Sequence, residues 1–314
     1  MNTLTKSLII GGAAAAAAGG LLWQRGREQR RTADLPDPGN LFLRRYGPWA
    51  LVTGAARAEG LGYSFARHLA GRGFNLVLVD IQGGALAARA EELRAKFLVK
   101  VRPITLDLGR ADFLDELLPQ TADITVGLLV CNHMTTPKDT PAVMEMDLAT
   151  HDAMLAVNAR AYTALIHTYG QPMIARGQGG LVIISSGAGL QTAPYTGAYS
   201  ANKAFQRALG EALWYELRGS GVDVLVAAPG LMDTQGAGLA GYPRWMITPA
   251  EPVAVETLAA LGRGPLVIPG LVNNLLIAVQ TRLLPRRLAV EVTGRFMAAG
   301  LGKTAANPGL RQVS

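Results

Sequence analysis

The chain of 314 residues has a single cysteine, Cys131, which excludes an internal disulfide framework and fits a reducing compartment. Charge is also sparse, at 17% Asp, Glu, Lys and Arg. Residues 1–45 carry seven Lys/Arg against three Asp/Glu, and residues 261–314 carry seven against one. That leaves sixteen against nineteen for residues 46–260, a balance of −3, so the net charge of +7 belongs to the two ends. The body has no Lys/Arg run interleaved with aromatics, which gives nucleic-acid binding little support. No metal site is assigned. Internal repeats and a second-domain boundary are also lacking, and a chain of this length can bury one full core.

The longest uncharged stretch is at the amino terminus. Residues 7–23 carry no charge, and Arg25, Arg27, Arg30 and Arg31 follow at once. This is the short end of the ~17–25 residues that a spanning helix needs, and Ala and Gly add little insertion energy. A cleaved signal would carry its positive charge before the apolar run, where only Lys6 lies. The arginines favour a retained apolar helix, with the body anchored on the cytoplasmic side of a membrane. The alternatives are a frayed Ala/Gly helix and a soluble cytoplasmic protein. A Pro/Asp/Gly linker, Ala33 to Asn40, separates this segment from the body. The expected organisation is an amino-terminal segment and linker (1–45), a main domain (46–260) and a helical carboxy-terminal extension (261–314).

The body opens with WALVTG, and further apolar runs follow at residues 75–80, 126–132, 180–186 and 222–230. Stretches with helical spacing lie between them, such as YSFARHLAGRG and ALAARAEELRAKF. Short buried strands alternating with helices predict βαβ units, hence an α/β doubly wound fold with a parallel sheet covered on both faces.

Two places carry chemistry. Tyr199 stands four residues before Lys203, and Ser186 thirteen residues before Tyr199. On a helix the i, i+4 spacing sets the ammonium one turn from the phenol. An adjacent cation favours the ionised phenol, and a tuned tyrosine is suited to proton transfer to or from a carbonyl or alcohol. The other place is TGAARAEGLG, Thr53 to Gly62, where a strand runs through glycines into a helix. Such a turn lets backbone approach a pyrophosphate, whose charge meets the helix N-terminus. Asp80 ends the next strand eighteen residues after Gly62, near the offset at which an acid accepts hydrogen bonds from an adenosine ribose.

Taken together, roughly residues 47–235 resemble the short-chain dehydrogenase/reductases. The family's glycine turn resembles Thr53, Gly54, Gly60, Leu61 and Gly62, with two extra residues that bring Arg57 into the loop. Its adenine-side acid resembles Asp107, its helix asparagine Asn158, and its Pro-Gly motif Pro229 and Gly230, followed by Thr234. The phrases YGPWALVTG, VGLLV and YSANKAFQRALGEALWYEL are similar to a branch of bacterial membrane-associated, hydroxysteroid and 3-ketoacyl reductase-like enzymes. The family's Asn-Asn-Ala-Gly is CNHM here: Asn132 keeps its place, while His133 and Met134 replace small residues. His133 is expected to fill the edge of the cofactor pocket on the adenosine side.

The resemblance implies an NAD(P)-dependent oxidoreductase. Tyr199 would act as acid/base, Ser186 steady the substrate oxygen, and Lys203 lower the tyrosine pKa and hold the nicotinamide ribose. Asn158 would support a water relay. A small hydrophobic alcohol or ketone as substrate, and a homodimer or homotetramer, are also expected. The rival reading is a catalytically silent dinucleotide-binding scaffold or sensor. For the cofactor, Asp80 followed by Ile81 favours NAD, and Arg57 argues for NADP. If residues 7–23 hold the protein on a membrane, deleting residues 1–32 releases a folded, active protein into the soluble fraction, which fractionation without detergent measures.

Overall fold

The computed structural model describes residues 40–137, 141–233 and 239–303. The expected apolar helix at residues 7–23, most of the linker, and Thr234 lie outside the described residues. No helix among those described is long and apolar enough to cross a membrane.

The chain alternates strand and helix as its apolar pattern predicts. In order come α1 (Leu41–Tyr46), β1 (Trp49–Thr53), α2 (Leu61–Gly71), β2 (Asn75–Asp80), α3 (Gly83–Lys96), β3 (Val101–Thr105) and α4 (Phe113–Leu117). Then follow β4 (Val126–Cys131), α5 (Leu148–Leu155), a π-turn (Ala156–Arg160), α6 (Ala161–Arg176), β5 (Gly179–Ile184), α7 (Gly197–Glu216) and β6 (Val222–Ala227). After the short strands β7 (Met232–Asp233) and β8 (Thr248–Pro249) come α8 (Ala250–Ala260) and β9 (Leu266–Val267). Helix α9 (Leu271–Ala278), a second π-turn (Val279–Leu283) and α10 (Arg286–Gly300) complete the described chain.

Seven of the strands form one sheet in the order β3-β2-β1-β4-β5-β6-β9, every neighbouring pair parallel. A parallel sheet is stable when both faces are covered, which explains why β4 and β5 are buried at every residue. Alternate side chains feed two cores. Val52, Leu78 and Leu128 face one core with Phe65 and Leu69 of α2, while Leu51, Val79 and Leu129 face the other with Tyr162, Leu165 and Met173 of α6. The sheet reaches past residue 260, because Leu266–Val267 pairs with Val226–Ala227. Beyond that point the described part of the extension is mostly helical, from Leu271–Ala278 to Arg286–Gly300, as expected.

Strand order reverses between β1 and β4, so their carboxyl ends open a crevice there, the usual ligand position in such sheets. Because all seven strands are parallel, whatever follows each strand collects along this one edge.

Candidate active site

Thr53 ends β1 and ties the reversal point together. Its Oγ1 lies 3.2 Å from Val130 O, accepts from Asn132 N at 3.0 Å, and pairs with His133 Nδ1 at 2.7 Å. Gly54 follows at φ +68°, where a Cβ would stand 2.9 Å from His133 Cα, and a Cβ on Gly62 would lie 2.2 Å from Gly54 O. Only glycines let the turn close this tightly. The two extra residues are absorbed by a turn in which Gly60 N donates to Arg57 O at 3.0 Å, leaving Arg57 exposed. Gly60 precedes α2, whose first residue is the buried Leu61, and no side chain caps this helix start. The cradle of glycine backbone at an uncapped helix N-terminus fits a pyrophosphate.

Asp80, at the end of β2, accepts from Ala56 N in the glycine turn and from Gln82 N, both at 3.0 Å. Its carboxylate is thus fixed beside the turn, next to an Ile81 that is 62% exposed. Asp107 is exposed after β3 and accepts from Gly109 N at 2.8 Å. Asn132 Nδ2 donates to Thr53 O and Gly54 O, at 3.1 and 3.0 Å, so this side chain braces the turn. Pro229 O accepts from Gly187 N at 2.8 Å, and Gly230 packs against Asn273 of α9.

On the other side of the crevice, Tyr199 and Lys203 share the inward side of α7. Ser186 follows β5; its Oγ accepts from Ala188 N at 3.2 Å and is hydrogen-bonded to the Tyr199 phenol. Ser185 Oγ donates to Lys203 O at 2.7 Å, which locks α7 to the strand end. Lys203 is 2% exposed, and its Nζ donates to Ile184 O and Gln206 Oε1, each at 2.9 Å. Asn158 sits in the π-turn. Its carboxamide donates to Thr135 O at 2.7 Å and accepts from Thr135 N at 2.9 Å, and its backbone carbonyl accepts from Gln206 Nε2 at 2.8 Å.

Three expectations change. His133 does not fill the edge of the cofactor crevice: it is 6% exposed, held between Thr53 Oγ1 and Val157 O, with its ring 4.4 Å from that of Tyr162. The strand end turns this side chain into the interior, while the next residue, Met134, is 45% exposed. Secondly, the Tyr199 phenol is raised above its ordinary pKa, because burial penalises the phenolate more than the Ser186 hydrogen bond favours it. The ammonium lies 5.7 Å from the ring centroid, and the same burial lowers Lys203 to about 7. Thirdly, the polar groups of Asn158 already have protein partners. The residue that sequence reasoning missed is Gln206. Its only sequence signal is a polar side chain three residues after Lys203 and seven after Tyr199, on the face of α7 that turns inward.

A parallel sheet with a glycine cradle at its reversal point, facing a serine, tyrosine and lysine, defines a dinucleotide-dependent oxidoreductase. Residues 48–240 match the short chain dehydrogenase family, and the chain belongs to it. It is an NAD(P)-dependent enzyme acting on CH–OH and C=O groups. It is 31% identical over 228 residues to a very-long-chain 3-oxoacyl-CoA reductase-like protein of Arabidopsis thaliana, covering 71% of this chain and 72% of that one. A solved 7beta-hydroxysteroid dehydrogenase is similar at a TM-score of 0.75 and 25% identity, over 82% of this chain and 98% of the other. A short-chain dehydrogenase from Sphingobium yanoikuyae in complex with NADPH is similar at a TM-score of 0.65 and 27% identity, over 72% and 89%.

The interior placement of His133 makes stability pH-dependent. Burial, and secondly the charge of Lys203, lower it from 6.5 to about 3. Its folded pKa lies below its unfolded one, so its contribution to stability is complete above about pH 6.5 and is lost as pH falls toward 3. His133→Gln removes this titration. The Tm gap between wild type and variant is therefore expected to shrink between pH 7 and pH 4; an equal gap at both would contradict the assignment.

Proposed function

We propose that this enzyme interconverts a hydrophobic secondary alcohol and its ketone, with Tyr199 as acid/base. The observation that carries the reading is the Ser186–Tyr199 hydrogen bond beside the buried Lys203, across the crevice from the glycine cradle. A bound nicotinamide dinucleotide supplies or takes up the hydride. The Ser186 hydroxyl orients the substrate oxygen toward the phenol, and Tyr199 Oη gives up or takes its proton. A phenol raised by burial keeps its proton near neutral pH, which suits donation to the oxygen of a ketone under reduction. Lys203 presents its ammonium beside Tyr199 to the nicotinamide ribose. Asn158 acts one step back, holding Thr135 and, through Gln206, the lysine.

For the cofactor we assign the pyrophosphate to Gly54, Gly60, Leu61, Gly62 and the start of α2, and the adenosine side to Asp80 and Asp107. Asn132, which braces the glycine turn, belongs with the adenosine side, and the nicotinamide side falls to Lys203, Pro229, Gly230 and Thr234. The preferred cofactor is NAD(H). The Asp80 carboxylate, fixed beside the turn, accepts from ribose hydroxyls and repels a 2′-phosphate, and Ile81 offers that phosphate no cation. Arg57 is the residue that favours NADP(H).

The substrate is apolar, of the hydroxysteroid or long-chain 3-oxoacyl class that the similar proteins are named for. Ile277 of α9 lies against Gly187, one residue from Ser186, and Pro194, between Ser186 and Tyr199, lies against Gly294 of α10. The extension thus supplies part of an apolar wall. We also retain as proposals the division at residues 45 and 260, assembly as a homodimer or homotetramer, and membrane attachment through residues 7–23.

Two variants test the reading. Tyr199→Phe keeps the ring and removes the acid, so kcat for a lipophilic ketone is expected to fall by ~10² or more while NADH binding persists. Wild-type turnover in that variant would overturn the role given to Tyr199, whereas a wild-type protein that binds NADH and turns over no ketone or alcohol would support the silent-scaffold alternative. Asp80→Ala is expected to weaken or reverse the NADH over NADPH preference in kcat/KM. A wild-type enzyme several-fold better with NADPH would overturn the NAD assignment.

A further inference from the structure

Gln206 is a buried polar group beside the site that the proposed chemistry does not use directly. It is completely buried, on the same inward side of α7 as Tyr199 and Lys203. Its carboxamide is held at both ends: Oε1 accepts from Lys203 Nζ at 2.9 Å, and Nε2 donates to Asn158 O at 2.8 Å. The partners fix which end is which, because a flipped amide would set an NH2 against an ammonium and an oxygen against a carbonyl. One continuous chain results. Thr135, after β4, is clamped by the Asn158 carboxamide; the Asn158 carbonyl binds Gln206, Gln206 binds Lys203, and Lys203 reaches back to Ile184 at the end of β5.

We propose that Gln206 is a positioning residue for the reaction: its carboxamide fixes the direction and protonation of the Lys203 ammonium by giving it a neutral acceptor anchored on the π-turn. Resting on the oxidoreductase reading, this inference adds a residue that acts through Lys203. With Ile184 O and Gln206 Oε1 each taking one N–H, the third is left to face the site beside Tyr199. A neutral acceptor also leaves the ammonium without a compensating charge. The titratable side chains around it are Tyr199 on its own helix, His133 after β4 and Tyr162 on α6, with the Ser186 hydroxyl after β5; His133 is neutral and both phenols keep their protons. Among the described residues no carboxylate pairs with Lys203. This fits the lowering of its pKa to about 7. Its charge is therefore sensitive to whatever occupies position 206.

The test compares Gln206→Glu and Gln206→Leu with wild type in the full-length protein. Two readouts are taken against pH: kcat and KM for a lipophilic ketone with NADH, and NADH affinity by fluorescence without substrate. Thermal unfolding monitors the fold. Glu places an anion against the ammonium, so the alkaline limb of both profiles is expected to move up by about one pH unit or more. Leu removes an acceptor, so the limb moves down, and kcat at pH 7 falls about tenfold with KM for the ketone little changed. Profiles that superimpose on wild type in both variants, with activity following Tm alone, would overturn the proposal and leave Gln206 a packing residue. Should the Leu variant not fold, the near-isosteric Glu variant carries the test, because its shift has a fixed sign. Should wild type reduce no ketone, the oxidoreductase reading fails, and the pH dependence of NADH affinity still decides the role of Gln206.

Discussion

A lysine ammonium held at 2% exposure, with no carboxylate to pair with among the described residues, is the constraint on which this site depends. Desolvation penalises such a charge heavily, so each acceptor offered to it must be placed in advance. The structure provides them from two directions. Strand β5 stops at Ile184, which frees that carbonyl from the ladder and turns it toward Nζ. The helix between β4 and β5 widens into a π-turn at Ala156–Arg160, leaving the Asn158 carbonyl within reach of Gln206, which brings a second acceptor to the lysine. A π-turn within an α-helix is a frequent companion of a functional site, and here its effect is concrete. The hydrogen bond between Ser185 and the Lys203 carbonyl keeps helix and strand in register, so the lysine cannot drift from these partners.

The cofactor side depends on the same economy of polar groups. At the reversal of strand order, the Thr53 hydroxyl meets Val130, Asn132 and His133, and Asn132 returns two hydrogen bonds to the glycine turn. His133 then reaches Val157 in the π-turn. The imidazole therefore joins the turn that can receive a pyrophosphate to the turn that supports the lysine. Its neutral state follows from burial beside a cation, and a charged imidazole would disturb both.

The carboxy-terminal helices belong to the site's frame. Asn273 stands against Gly230, Ile277 against Gly187, and Arg286 donates to Gln191 Oε1 and Thr192 Oγ1, both at 3.1 Å. These contacts surround the segment that carries Ser186 toward Tyr199. Packing from α9 and α10 thus sets the position of that segment, which explains why a stretch with interrupted apolar patterning is ordered against the body.

Much of this was legible in the chain itself. Continuous apolar runs between helical repeats determined a parallel sheet covered on both faces, because only buried strands tolerate such runs. The spacing of Ser186, Tyr199 and Lys203, and of Gly54 and Gly62, determined which residues would meet at its edge, because strand ends and helix turns place them by short-range geometry. Tertiary structure alone decided the rest. The direction of the His133 side chain, the raised phenol of Tyr199, and the link from Lys203 through Gln206 to Asn158 all depend on burial, and His133 and Gln206 depend also on partners 24 to 80 residues away in sequence. Local patterning carries no record of such distances: a polar residue on a helix face reads alike whether it meets water or a buried ammonium, and only the packed fold determines which.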